Sequence, residues 1–148
     1  MDRDNEYLSY GAPRTSVAPE LRLKKLRDRL NEPVFAYRPT ARPRRVISYV
    51  RTRAGEDPTR LFEQLDREAA RRGWHVGHRL HDDNGAAAPQ QSPDWLRARR
   101  LMHEGFADGV LAPDRDHISR DDDQYQAELA FVADSQCFTA LVVPEAAP

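Results

Sequence analysis

Apolar residues along the chain switch between two spacings. Val46-Ile47-Ser48-Tyr49-Val50 is β-branched and aromatic, which fits a pleated, buried strand. After Asp57-Pro58-Thr59, Leu61, Leu65 and Ala69 recur at every fourth position and Gly73 follows, predicting a helix to about Arg72 with a glycine stop. Trp74 to Leu80 reads as a second strand, with Trp74, Val76 and His78 on one face. A polar loop over 81–91 carries Asp82-Asp83-Asn84-Gly85. Ser92-Pro93 caps a helix to about His103, and Gly105 ends it. Gly109 to Ala112 is a third strand, Ser119 or Asp121 opens an acid-started helix to about Ala133, and Phe138 to Val143 is a fourth strand. Strand and helix alternate throughout, which predicts an α/β domain over 45–143: a mainly parallel four-stranded sheet with helices on both faces.

The first 44 residues carry a different pattern. Residues 2–17 are polar with Gly11 and Pro13, as in a flexible arm. Pro19-Glu20 opens a short amphipathic helix over 19–30, in which Leu21, Leu23, Leu26 and Leu30 fall partly on one stripe. That stripe would dock on its own domain, on a partner, or on DNA. Pro33, Pro39 and Pro43 punctuate an extended linker, and 144–148 is a tail.

Charged residues make up 32% of the chain, above the roughly 25% of ordinary globular proteins, which suits a well-solvated domain. Lys24 and Lys25 are the only lysines; the arginine and alanine content is that of a GC-rich bacterial genome. The formal net charge of −1 conceals an asymmetry. Between Glu32 and Glu56 there is no acid, but there are Arg38, Arg42, Arg44, Arg45, Arg51 and Arg53, a segment able to attract phosphate or simply to lie solvated. From Asp114 onward acids outnumber Arg115 and Arg120. Cys137 is the only cysteine, which excludes an internal disulfide and a cysteine metal cluster; beside an apolar run it reads as a buried, inert thiol. No stretch approaches a membrane span and no apolar signal region opens the chain, so the cytoplasm is expected. The histidines lack a metal-ligand spacing, and no glycine-rich phosphate loop is present.

In parallel α/β sheets the working residues lie outside the carboxyl ends of the strands. Three segments therefore matter, 51–56, 81–91 and 113–120, with Arg51, Arg53, Asp82, Asp83, Asp114, Arg115, Asp116, His117 and Arg120. Arginines gathered with a carboxylate suit a phosphate ligand, because the guanidinium fork matches phosphate oxygens and stays charged. Charged loops at strand ends are also common without any ligand.

Tyr49-Val50-Arg51-Thr52-Arg53 resembles the Tyr-x-Arg-x-Ser opening of the serine recombinases, the resolvase/invertase family. Asp116-His117-Ile118-Ser119-Arg120-Asp121 is similar to that family's Asp-Arg-Leu-Ser-Arg-Asp segment, again between a third strand and a helix. Gln64-Leu65, Arg72-Gly73-Trp74 and Asp82-Asp83-Asn84-Gly85 fall where the family has similar residues, so the resemblance covers about 45–143. It implies a resolvase-like fold and a site in which a serine attacks a DNA phosphodiester while arginines stabilise the charge on phosphorus. Arg51, Asp116 and Arg120 match the family's site positions. The nucleophilic serine, however, is Arg53, the first arginine of the Asp-Arg-x-x-Arg segment is His117, and the family's Arg-Pro pair is Ser92-Pro93.

A guanidinium has no oxygen and cannot form the phosphoserine link. Thr52 would point to the opposite side if the strand continues, and Ser48 lies deeper in the sheet. The implied reading is a pseudoenzyme related to DNA recombination. Arg51, Arg53, Asp116, His117 and Arg120 would form a phosphate or DNA site, with no metal and no cofactor. DNA, a recombinase partner or a second copy of the chain would be what it binds. The chain ends at Pro148, where the family continues into a dimerisation helix and, in many members, a helix-turn-helix, so site-specific reading of that kind is not expected. The competing readings are a protein-interaction module using the 19–30 helix beside a vestigial site, and an active enzyme with a relocated nucleophile.

Overall fold

The structure, a computed structural model, describes residues 18–37 and 42–147. The arm over 2–17 and the proline at 39 lie outside them. The elements run α1 (Pro19–Ala36), β1 (Arg45–Arg51), α2 (Thr59–Arg72), β2 (His75–Asp82), α3 (Pro93–His103), β3 (Gly109–Ala112), α4 (Asp122–Asp134) and β4 (Phe138–Leu141), with 3-10 turns at Pro89–Gln91 and Arg115–His117.

All strand pairs are parallel and the order is β2-β1-β3-β4, so the sheet is the four-stranded one the pattern predicts. Chain direction across the sheet reverses at β1: β2 lies on one side of it and β3 on the other. Right-handed crossovers then force α2 onto one face and α3 and α4 onto the other. The two cores follow. Leu65 and Ala69 of α2 pack with Val46, Val50, Leu111 and Phe138. Trp95 and Met102 of α3 and Tyr125 and Leu129 of α4 pack with Ile47, Tyr49, Val110 and Leu141.

Three details depart from the sequence pattern. Trp74, Val76 and His78 do not share a face: the register slips between Val46 and Ile47, where Val46 pairs with Val76 but Ile47 pairs with His78. Gly77 is the extra residue, and it sends His78, Leu80 and Asp82 to the face of Ile47, Tyr49 and Arg51. Ser92 stands at the N-cap of α3 but donates to the Ala88 carbonyl at 2.9 Å; the helix is capped instead by Asp82, which accepts from the N–H groups of Asp94 (2.9 Å) and Trp95 (2.8 Å). The fourth strand ends at Leu141 rather than Val143.

The N-terminal helix is also longer than 19–30, running to Ala36 through Pro33. Leu23 is fully buried, and Leu26 and Leu30 pack against the core of α3 and α4. The stripe therefore docks on the chain's own domain and is not free for a partner or DNA. Its polar flank is equally engaged. Asn31 treats β4 as a neighbouring strand would: its Nδ2 donates to the Thr139 carbonyl at 2.8 Å, and its Oδ1 accepts the Thr139 N–H at 3.1 Å. Arg27 donates from Nε and Nη2 to Glu145, at 2.8 and 3.1 Å. Glu145 is thus held in place within the segment read as a tail; Arg27 and the Tyr125 hydroxyl offset the burial that would raise its carboxyl and leave it below the usual range.

Candidate functional site

Arg51 closes β1, and its side chain is 8% exposed. The strand alternation that buries Ile47 and Tyr49 puts it on their face, at the carboxyl end of the sheet. Three bonds fix it. Nε donates to the His117 carbonyl at 3.0 Å, Nη1 to Asn84 Oδ1 at 2.7 Å, and the Arg51 backbone N–H to His117 Nδ1 at 2.9 Å. Nη2 is buried and has no acceptor.

Arg51 lines a cleft of about 700 Å³ between the segments that follow β1 and β3. This is the point where the sheet reverses direction, the usual place for a ligand in an open α/β sheet. Arg51, Arg53, Asp116, His117 and Arg120, the five residues singled out from sequence, all line it, joined by Thr52, Glu56, Ser119, Asp121 and the wall from Gly85 to Ala88. Arg53 is engaged only through its backbone: its N–H donates to Glu56 Oε1 at 3.1 Å and its carbonyl accepts from Thr52 Oγ1 and the Glu56 N–H, while its guanidinium has no partner among the described residues. Arg120 stands 3.8 Å from Asp116, and both are largely exposed.

His117 accepts at Nδ1, so in its neutral form the ring proton sits on Nε2. Burial holds this imidazole below its ordinary 6.5, and the Arg51 charge adds to that against the opposing pull of Asp114 and Asp116.

Thr52 is where sequence reasoning missed. It was placed on the far side of the strand, yet it lines the cleft, because β1 stops at Arg51 and alternation stops with it. Its hydroxyl does not face the cleft unpartnered: Oγ1 is 2.7 Å from His81 Nε2 and 3.0 Å from the Arg53 carbonyl, and the residue is 5% exposed. Ser48 is fully buried, away from the cleft, as its earlier position in the strand implies.

Other charged residues near the strand ends serve the fold. Asp82 faces inward and accepts the Tyr49 hydroxyl at 2.6 Å. Arg115 ties the Ser119 carbonyl (3.1 and 3.0 Å) and Asp122 (2.6 Å) and covers the Tyr125 ring. Arg44 and Arg45, part of the acid-free segment, lie at the opposite end of the sheet. Arg44 donates to the last carbonyls of α1, and Arg45 pairs with Asp108 at 3.1 Å. Among the described residues no group of three or more His, Cys, Asp and Glu side chains could hold a metal, and no helix is long and apolar enough to cross a membrane. Burial pushes the Cys137 thiol up to about 11, so it is a poor nucleophile.

A parallel sheet that reverses at its first strand, with an arginine-bearing cleft over the reversal, places the chain in the class of open α/β domains with a polar site at the strand ends. No protein-family model matches the chain, and no curated protein sequence does. Solved structures do. It is similar to the C-terminal catalytic domain of ISC1926 TnpA, an IS607-like serine recombinase, at 20% identity and a TM-score of 0.62, over 68% of this chain and 71% of that one. The N-terminal catalytic domain of TP901-1 integrase aligns at 22% identity and a TM-score of 0.58, over 66% and 76%. The first open reading frame of transposon ISC1904 from Sulfolobus solfataricus P2 aligns at 13% identity and 0.57, over 70% of each chain. The chain has the fold of a serine-recombinase catalytic domain.

Proposed function

We propose that this chain is a recombination-related, serine-recombinase-like domain that binds phosphate at the strand-end cleft and does not cut DNA. The observation that carries the reading is the state of two arginines. Arg51 Nη2 is buried with nothing to donate to, and the Arg53 guanidinium is unpaired in the same cleft. A buried donor left unmatched costs about 1–3 kcal/mol, so an anion that meets it recovers that energy on binding.

Loss of cutting follows from the hydroxyls. Arg53 stands where the resembled family has its attacking serine, Ser48 is buried outside the cleft, the Thr52 oxygen is already between His81 and the Arg53 carbonyl, and Ser119 Oγ, which also lines the cleft, donates to Gln124 Oε1 at 3.0 Å and accepts the Asp121 N–H at 3.1 Å. Without a covalent nucleophile most of the rate enhancement goes. DNA, a recombinase or a second copy of the chain is the partner, the cytoplasm the place, and no cofactor is needed. The alternative interaction module built on the 19–30 helix has less support, since Leu23, Leu26 and Leu30 pack on the chain's own core.

The test is binding of labelled DNA to the wild type, Arg51→Ala and Arg53→Ala at two salt concentrations. Wild type is expected to bind at low salt and lose affinity as salt rises, with both variants weaker. Undetectable binding at low salt removes the DNA part of the reading. A covalent adduct on Thr52 after incubation with supercoiled DNA overturns the inactive part.

A further inference from the structure

Among the described residues Arg27 and Arg51 are the arginines that are buried, and the fold treats them differently. Arg27 pairs with the Glu145 carboxylate at 2.8 Å. Arg51 pairs with no carboxylate: its side chain donates to the His117 carbonyl and to Asn84 Oδ1, both neutral. Asp82 lies on the same face of the sheet, but its oxygens accept from the Tyr49 hydroxyl and from the N–H groups of Asp94 and Trp95. A buried ion is costly until an opposite charge meets it. The charge of Arg51, which lines the cleft, is therefore one that an arriving anion can neutralise.

Asn84 makes this arrangement hold. It stands outside the lining of the cleft, in the loop after β2, and both ends of its amide are used. Oδ1 accepts from Arg51 Nη1 at 2.7 Å, while Nδ2 donates to the Gln91 carbonyl at 3.2 Å and to Ser92 Oγ at 3.3 Å. Ser92 Oγ in turn donates to the Ala88 carbonyl, and the Gly85 N–H donates to the Thr52 carbonyl at 3.0 Å. The cleft wall from Gly85 to Ala88 is thereby tied to the arginine at the end of β1. An amide suits this position because it accepts at one end and donates at the other without bringing a charge. A carboxylate there would offer Gln91 no N–H and would pair off the arginine.

We propose that Asn84 is a positioning residue of the cleft, which fixes the Arg51 guanidinium and, being neutral, leaves its charge for an anion. This rests on the phosphate-binding reading above and adds the residue that controls it. Asn84 acts through Arg51 and not on the ligand.

The experiment compares the full chain with its Asn84→Asp and Asn84→Ala variants. It measures the unfolding midpoint of each and the affinity for one labelled duplex DNA over a range of salt concentrations. Asn84 is exposed, so both variants should fold. Were its role confined to holding the loop together, Ala, which removes all three side-chain bonds, would weaken binding at least as much as Asp, which keeps the acceptor. The charge role gives the reverse order. Asn84→Asp should bind about tenfold more weakly than wild type, the size of one lost charge-assisted contact. It should also take about 0.9 off the slope of log affinity against log salt, one charge's share on duplex DNA. Asn84→Ala should show a smaller loss with the slope unchanged. Binding by Asn84→Ala as tight as wild type, or weaker than by Asn84→Asp, overturns the role of Asn84. So does an Asp variant with wild-type affinity and slope while Arg51→Ala weakens binding, and the phosphate reading then stands. No wild-type binding at low salt overturns both.

Discussion

The Arg51 side chain is gripped at Nε and Nη1, by the His117 carbonyl and by Asn84, and only Nη2 is left over. A guanidinium held this way loses little freedom when an anion arrives, because its orientation is already fixed. The same scale shows residues that look functional and are structural. Asp82 accepts the Tyr49 hydroxyl and two N–H groups of α3. Asp82→Ala leaves those buried donors unmatched and should cost at least about 1–3 kcal/mol in the denaturant midpoint while leaving phosphate affinity per folded molecule unchanged. A larger loss of binding than of stability would place Asp82 in the site instead. Gly109 is limited by space: a Cβ there would stand 2.6 Å from the Phe138 ring. Gly109→Ala should destabilise by about 1–3 kcal/mol, read from urea unfolding, since ring and strand must both shift.

Helix α1 is the element whose role the sequence described least well. Its leucines cover the core, Asn31 pairs with the outer edge of β4, and Arg27 locks onto Glu145 with side chains 11% and 0% exposed. An open strand edge is a template for unwanted pairing, and this helix covers it. Breaking a buried ion pair from one side strands the other charge, so Arg27→Ala should cost about 3–5 kcal/mol. The readout is the unfolding midpoint, together with faster amide exchange across β4. A loss below about 1 kcal/mol would mean the pair behaves as a surface one.

Across the whole molecule, His117 and several carboxylates, Glu145, Asp108 and Glu68 among them, shape the acid limb of stability. His117 is held below 6.5 by burial first, so its folded pKa lies below the unfolded one. The native state favours the neutral ring, and stability is full above about pH 6.5 and falls as pH drops through the depressed value. Glu145 is held below 4.5 by Arg27 and Tyr125 against its burial, so its contribution is present above about pH 4.5 and fades on further acidification. Denaturant midpoints at several pH values between 7.5 and 3.5 should therefore fall in two stages. His117→Gln should flatten the upper stage; an unchanged profile would show that the ring does not titrate against folding.

The parallel sheet, the alternation of strands and helices along the chain and the five residues that line the cleft were legible because each depends on local chemistry: β-branched runs, four-residue helical spacing, glycine stops and arginines placed just past strand ends. The rest needed contacts between segments far apart in the chain. No local signal gives the one-residue slip at Gly77 that turns Asp82 inward toward Tyr49. Nor does one show that Thr52 leaves the strand alternation and gives its hydroxyl to His81, or that Asn31 reaches Thr139. Sequence by itself determined which elements form and which side chains stand at their ends, since those follow from neighbours along the chain. Tertiary structure alone decided which of those charges are consumed by the fold and that Arg51 Nη2 is buried without an acceptor while the Arg53 guanidinium beside it stays unpaired, since a partner in space is what satisfies a charge.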